Sequence, residues 1–245
     1  MKKIILFIKV IQFLFWFAMR EEKRKLAEKL EKSGEHDKAM AIVHDMAKQW
    51  GQYVISLTGK DTVVNVHNSE KVPRNRAVVF YANHQSYFDV IAMLGYFDMP
   101  VAFISKIEIR KIPFIGKWME LLGCVFLVRK NPKQSIAAMA KAVENVKKGY
   151  SMGIFPEGTR SKTCKLAEFK PGSFKLAFRA EAPIVPVSFS GTRALLEKDG
   201  VKSGTVDITF HDPIETKNLS KEEQQLIPEK VRQIVLSALP AECQD

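Results

Sequence analysis

The sequence predicts an α/β protein: a mixed, largely parallel sheet flanked by helices, preceded by a two-helix hairpin. Two observations carry this. From residue 61 onward, apolar runs of strand length alternate with segments of helical periodicity, the pattern of strand–helix–strand units. Before it lie two helical patterns separated by Ser33-Gly34, a stop signal.

The hairpin comes first. Residues 4–19 are almost wholly apolar and rich in aromatic side chains, interrupted by Lys9 and Gln12 and followed at once by Arg20-Glu21-Glu22-Lys23-Arg24-Lys25. The run is short of the roughly 20 apolar residues that cross a bilayer. It also lacks the small-residue cleavage site of a signal peptide. Leu26 and Leu30 continue the first helix. A second helix from about Asp37 carries Ala39, Val43, Met46, Trp50, Tyr53 and Leu57 at alternating spacings of four and three, a seam that can pack on the first. Residues 1–58 therefore read as an αα-hairpin whose greasy end, flanked by Lys2, Lys3, Lys9 and Arg20, lies in or dips into a membrane interface, the alternatives being a single span, a soluble partner-binding hairpin or a cleaved leader. Residues 59–245 form the α/β domain.

In that domain, residues 62–66, 77–81, 101–105, 124–128, 152–155, 184–189 and 206–210 read as strands. Helices are expected over 88–96, 113–122, 132–147 and 171–179. Asn131-Pro132 is a cap and first-turn signal. Ser220 with Glu223 is a capping box opening a C-terminal helix, with Pro228 a candidate kink or break.

Composition narrows the partners. A chain of 245 residues, 46% hydrophobic, has the means to bury a core. Its net charge of +11 and pI near 9.5 suit an anionic partner, whether phospholipid, nucleic acid or a phosphorylated substrate. No helix-turn-helix, RNP or zinc signature supports nucleic acid. Cys124, Cys164 and Cys243 are widely spaced, suggesting neither a disulfide framework nor a metal knuckle, and the simpler reading is a reducing, cytosolic setting.

Two polar motifs stand at strand ends, where open sheets collect ligands. The first is Asn83-His84-Gln85-Ser86-Tyr87-Phe88-Asp89. Five residues apart on one helix, His84 and Asp89 would diverge by about 140°. With His84 in the turn and Asp89 in the first helical turns, the carboxylate can reach an imidazole nitrogen and leave the other free to accept a proton. No G-x-S-x-G elbow accompanies them, so the nucleophile is expected to be a substrate hydroxyl. The alternative is a loop histidine and a carboxylate serving only the helix dipole.

The second motif, Phe155-Pro156-Glu157-Gly158-Thr159-Arg160-Ser161, offers close backbone approach at Gly158, a hydroxyl at Thr159 and a guanidinium at Arg160 suited to phosphate. Glu157 reads as a partner for a polyol hydroxyl or for a nearby base. A surface ion pair between Glu157 and Arg160 is the competing reading. Lys106 and Arg129, each following a strand, are further candidates for the anion site, though each taken singly reads as a solvated charge.

Together these residues resemble the glycerolipid acyltransferase family over about residues 83–190. Asn83-His84 with Asp89 corresponds to its catalytic block and residues 155–161 to its third block. Lys106, Glu108, Pro113, Gly116, Gly123 and Arg129 fit the second, with Ile109 where leucine is usual. Ile184-Val185-Pro186-Val187 fits the fourth. The resemblance implies transfer of an acyl chain from a thioester of acyl carrier protein or coenzyme A, without metal or dissociable cofactor. The implied acceptor is the 2-hydroxyl of lysophosphatidic acid, and the implied place is the cytoplasmic face of the cell inner membrane, against its phospholipid surface. On that reading His84 is the base, Asp89 its orienter, and Arg160, Arg129 and Lys106 hold phosphate while Glu157, Gly158 and Thr159 line the acceptor site. Backbone N–H groups at the helix start after His84 are the expected oxyanion donors. The alternatives are another acceptor, such as glycerol 3-phosphate or a larger lysophospholipid, or a non-catalytic protein that binds anionic membranes.

Overall fold

In the computed structural model, which describes residues 15–16, 19–128, 132–161, 163–197 and 200–244, the alternation of runs becomes one principal sheet. Its strands are β1 (Val63–His67), β2 (Val79–Ala82), β3 (Val101–Lys106), β4 (Val125–Leu127), β5 (Ser151–Ile154), β6 (Ile184–Ser190) and, after a small ladder of β7 (Leu196–Glu197) and β8 (Gly200–Val201), β9 (Thr205–Phe210). Among the described residues the order across the sheet is β1-β9-β6-β2-β5-β3-β4. The five strands from β6 to β4 run parallel, β9 is antiparallel to β6, and β1 is parallel to β9. The expected mixed, largely parallel sheet is what forms.

Why the sheet is covered on both faces can be read from β2. Successive strand side chains point to opposite sides. Phe80 packs edge-on against Phe97 at a centroid distance of 5.0 Å, whereas its neighbour Tyr81 stacks on Phe174 at 4.2 Å and donates its hydroxyl to the Ser173 carbonyl. Every residue of β2 is buried, as a central parallel strand requires.

The helices are α1 (Glu21–Lys32), α2 (His36–Ser56), α3 (Phe88–Tyr96), α4 (Ile107–Arg110), α5 (Ile115–Leu121), α6 (Pro132–Lys147), α7 (Pro171–Ala180) and α8 (Lys221–Ser237). The capping box opens α8 as read: the Ser220 hydroxyl accepts from the Glu223 N–H at 3.1 Å, and the Glu223 carboxylate accepts from the Ser220 N–H at 2.7 Å. Pro228 sits buried inside α8 without splitting it. The helix expected over 113–122 forms as α5, and the short α4 before it was not expected. Phe114 between them takes φ of 65°, a left-handed value at which an α-helix cannot run on. The cysteine reading also needs correction: Cys164 and Cys243, with Cα atoms 5.0 Å apart, are joined by a disulfide.

Helices α1 and α2 pack against each other as a hairpin, tied by an ion pair between Lys23 and Asp45 at 3.2 Å. Its leading run lies largely outside the described residues, as do Arg129 and the Asn131 cap. No helix among the described residues is long and apolar enough to cross a membrane. The hairpin is also not a detached appendage, because α2 lies directly on α3. At their crossing a Cβ on Gly51 would sit 2.5 Å from the Gly95 nitrogen, and the Gln52 side chain donates to the Gly95 carbonyl at 3.0 Å. The seam is accordingly different from the one expected. Ala39, Val43 and Met46 are buried, but the line continues through Gly51 and Ile55, leaving Trp50 and Tyr53 half-buried and Leu57 exposed.

Gly51→Ala forces backbone apart and is expected to lower stability by about 1–3 kcal/mol, as overpacking does. Gly172→Ala, with open space around its new methyl, is the control and should be near neutral or slightly stabilising. Thermal denaturation of both variants checks the pair.

Candidate active site

Parallel order brings the polar strand ends together. Because β6, β2, β5 and β3 are consecutive neighbours pointing the same way, their carboxyl ends form one edge of the sheet. From β2 comes His84, from β5 the motif at 155–161, from β3 Lys106, and from the turn after β6 comes Thr192.

His84 lies in the turn between β2 and α3, and Asp89 in the first turn of α3. Asp89 is completely buried. Its Oδ2 accepts from His84 Nδ1 at 2.7 Å, from the Gln85 N–H at 2.7 Å and from the Ser86 N–H at 2.8 Å. Its Oδ1 accepts from the Thr192 hydroxyl at 2.5 Å. With a carboxylate on Nδ1, the proton of a neutral imidazole resides there, and Nε2 is the lone-pair nitrogen. The His84 ring stacks on Phe155 with centroids 4.1 Å apart, which holds its plane. Asn83 locks this turn to β6, its amide donating to the Phe189 carbonyl at 2.8 Å while accepting the Phe189 N–H at 2.7 Å.

Three of the N–H groups in the segment expected to serve an oxyanion have partners within the turn. Those of Gln85 and Ser86 are spent on Asp89, and that of Phe88 on the Ser86 hydroxyl at 3.2 Å.

The second motif is bonded to the first. Glu157 is buried, and its two carboxylate oxygens accept from backbone: the His84 N–H at 2.6 Å and the Ala167 N–H at 3.2 Å. Burial raises its proton affinity above the usual carboxylate range, partly offset by those two donors. Its role here is that of a staple between turns, and it makes no ion pair with Arg160. The Ser161 N–H donates to the His84 carbonyl at 2.8 Å. Arg160 is exposed and lies over the Tyr87 ring, 3.7 Å from its centroid, with a guanidinium N–H to the Tyr87 hydroxyl at 3.0 Å. Thr159 is exposed beside it. Gly158 is also exposed, and its missing side chain makes room for Lys170, whose Nζ would stand 2.9 Å from a Cβ there. Lys170, a second cation against this loop, was not singled out from sequence.

His84 opens onto a cavity of about 660 Å³, a size typical of ligand sites. Trp50 from α2, Phe103 from β3, Trp118 from α5 and Phe155 build much of its apolar wall, and Tyr87 and Lys106 also border it. Among the described residues no cluster of three or more histidine, cysteine, aspartate or glutamate side chains is placed to hold a metal ion.

A carboxylate–imidazole pair thus stands at a parallel-sheet edge and opens on an apolar cavity that Lys106 also borders. A family model described as Acyltransferase matches residues 63–190, a little over half of the chain, and the chain belongs to that family. More particularly, it is similar to proteins described as 1-acyl-sn-glycerol-3-phosphate acyltransferases. One from Saccharomyces cerevisiae is 37% identical over 182 residues, 72% of this chain and 59% of the yeast protein. A probable one from Mycoplasma pneumoniae is 31% identical over 202 residues, 76% of this chain and 74% of its own length. The match to a chloroplastic one of Brassica napus, at 35% identity, takes in 70% of this chain but spans only about half, 50%, of that longer protein. Among solved structures, the 1-acyl-sn-glycerophosphate acyltransferase PlsC of Thermotoga maritima aligns with a TM-score of 0.71 at 30% identity, covering 93% of this chain and 97% of that one.

Removing the Glu157 staple leaves two backbone donors without acceptors, each at a cost of about 1–3 kcal/mol where buried. Glu157→Ala is therefore expected to lower stability by at least about 1 kcal/mol in denaturant unfolding, with activity falling as the two turns separate. Unchanged stability would contradict the staple.

Proposed function

We propose that this protein transfers a fatty acyl chain from a thioester, carried by acyl carrier protein or coenzyme A, to the sn-2 hydroxyl of lysophosphatidic acid, giving phosphatidic acid. The observation that carries the reading is the His84 Nδ1–Asp89 contact of 2.7 Å at the mouth of the apolar cavity. One imidazole nitrogen is committed to the carboxylate, so Nε2 is the atom that takes the hydroxyl proton. The freed alkoxide attacks the thioester carbonyl carbon. Collapse of the tetrahedral intermediate breaks the C–S bond, and the imidazolium returns the proton to the leaving thiolate. Asp89 stabilises that imidazolium without leaving its own donors.

Lys106 and Arg160 supply the phosphate-binding charge in this reading, with Arg129 as a third contributor. Arg160 is poised over Tyr87, which borders the same cavity, and Lys106 stands at its edge. Gly158 and Thr159 place the glycerol. Glu157 contributes by fixing His84 rather than by meeting the substrate. The apolar cavity takes the acyl chain, and the greasy leading run of the hairpin, with Lys2, Lys3, Lys9 and Arg20 flanking it, holds the enzyme against the phospholipid surface, at the cytoplasmic face of the inner membrane.

The test supplies purified protein with lysophosphatidic acid, glycerol 3-phosphate or a lysophospholipid of larger head and one labelled thioester donor, and identifies the product by mass. Phosphatidic acid is expected as the main product, and a preference for either other acceptor overturns the assignment. In the same assay His84→Ala should lower kcat about 10²- to 10⁴-fold, the usual contribution of a general base. Arg160→Ala should raise KM for the phosphate-bearing acceptor more than for a monoacylglycerol. Equal loss toward both acceptors would remove Arg160 from the phosphate site.

A further inference from the structure

Asp89 has two oxygens with separate tasks. Oδ2 gathers three donors, His84 Nδ1 and the N–H groups of Gln85 and Ser86, all from its own turn. Oδ1 receives the hydroxyl of Thr192, which lies 103 residues further along the chain and is itself completely buried. Thr192 stands two residues beyond the end of β6 and outside the residues matched by the family model.

The backbone is shaped to deliver that hydroxyl. Gly191, the residue before it, has φ of 80°, and a Cβ there would sit 1.9 Å from the Thr205 carbonyl oxygen, so a side chain is excluded by both conformation and space. The turn thus brings Thr192 back against Asp89, and the paired hydrogen bonds between Asn83 and Phe189 hold the end of β6 at a fixed distance from the His84 turn.

A carboxylate can rotate about its terminal bond, and three donors on one oxygen do not by themselves set that rotation, because they could be shared between both oxygens. A proton delivered to the other oxygen from a separate strand does set it. We propose that Thr192 is a positioning residue for the His84–Asp89 pair, its hydroxyl holding the Asp89 carboxylate so that Oδ2 faces His84 Nδ1 and keeping the second oxygen supplied with a donor where both side chains are buried. This rests on His84 being the base of the acyl transfer proposed above. Thr192 acts only through Asp89.

Thr192→Val keeps the shape and removes the proton, whereas Thr192→Ser keeps the proton and removes a methyl. With lysophosphatidic acid and a thioester donor, Thr192→Val is expected to lower kcat about 10-fold or more, in line with the loss from a misaligned catalytic group, while KM for both substrates stays within about two-fold. Thr192→Ser should retain kcat near that of the unsubstituted enzyme. Full activity in Thr192→Val overturns the proposal, as does an equal loss in the valine and serine variants, which would mark a packing role. If Thr192→Val does not fold, Thr192→Ser decides: retained kcat supports the role of the hydroxyl, and a 10-fold loss overturns it. His84→Ala is assayed alongside. An active His84→Ala overturns the base reading itself, whereas an inactive one beside a fully active Thr192→Val overturns only the part given to Thr192.

Discussion

A carboxylate with no exposure to water must be supplied with donors, and the site of this protein is arranged around that requirement at Asp89. Four donors converge on it, from the histidine beside which it works, from two backbone N–H groups of its own turn and from a hydroxyl on another strand. Each fixes something further out. The N–H groups fix how β2 passes into α3, and the histidine fixes which nitrogen is left for chemistry. The hydroxyl connects this turn to the end of β6. A carboxylate in water could swap these partners freely, but one in a dry interior cannot do so without leaving charge uncompensated.

The same logic extends to the second motif. Glu157 is a buried carboxylate too, held above its usual proton affinity by burial, and it spends both oxygens on backbone N–H groups. Glu157 thus ties backbone to backbone whereas Asp89 also holds a side chain, the His84 imidazole, although both belong to short polar motifs at the ends of adjacent strands.

Much of this was legible in the sequence, and what was missed has physical causes. The strands announce themselves as apolar runs, since a parallel strand buried on both faces has no polar alternation to confuse the reading. Helix α3 was bounded as found because Phe88 and Tyr96 bracket a clear period. The left-handed Phe114 could not be foreseen, because nothing in that side chain favours φ of 65° and only the packing of the surrounding turns imposes it. Asp89 and His84 were visible from spacing, yet Thr192 was not, since a hydroxyl two residues past a strand is ordinary until the sheet order brings it beside the motif. The Gly191-Thr192 step at a strand end was the available signal. Glu157 reads from sequence as a partner for a polyol hydroxyl or for a nearby base, and only the fold reveals the two backbone donors, one of them the His84 N–H, already in reach. The disulfide partners, 79 residues apart, carry no spacing signature at all.

The docking of α2 on α3 through Gly51 and Gly95 has a further consequence for how the site is assembled from the chain. Val43, Met46 and Trp50 of α2 form one wall of the cavity, while His84, Asp89 and Lys106 come from the region after residue 63. Bore and reactivity are thus encoded in separate stretches of sequence that meet only in the folded molecule. The cavity is modular: its width and lining can drift through substitutions in the hairpin while the His84–Asp89 pair stays untouched, so that the space in front of one polar pair can be reshaped by changing the helix that leans against it.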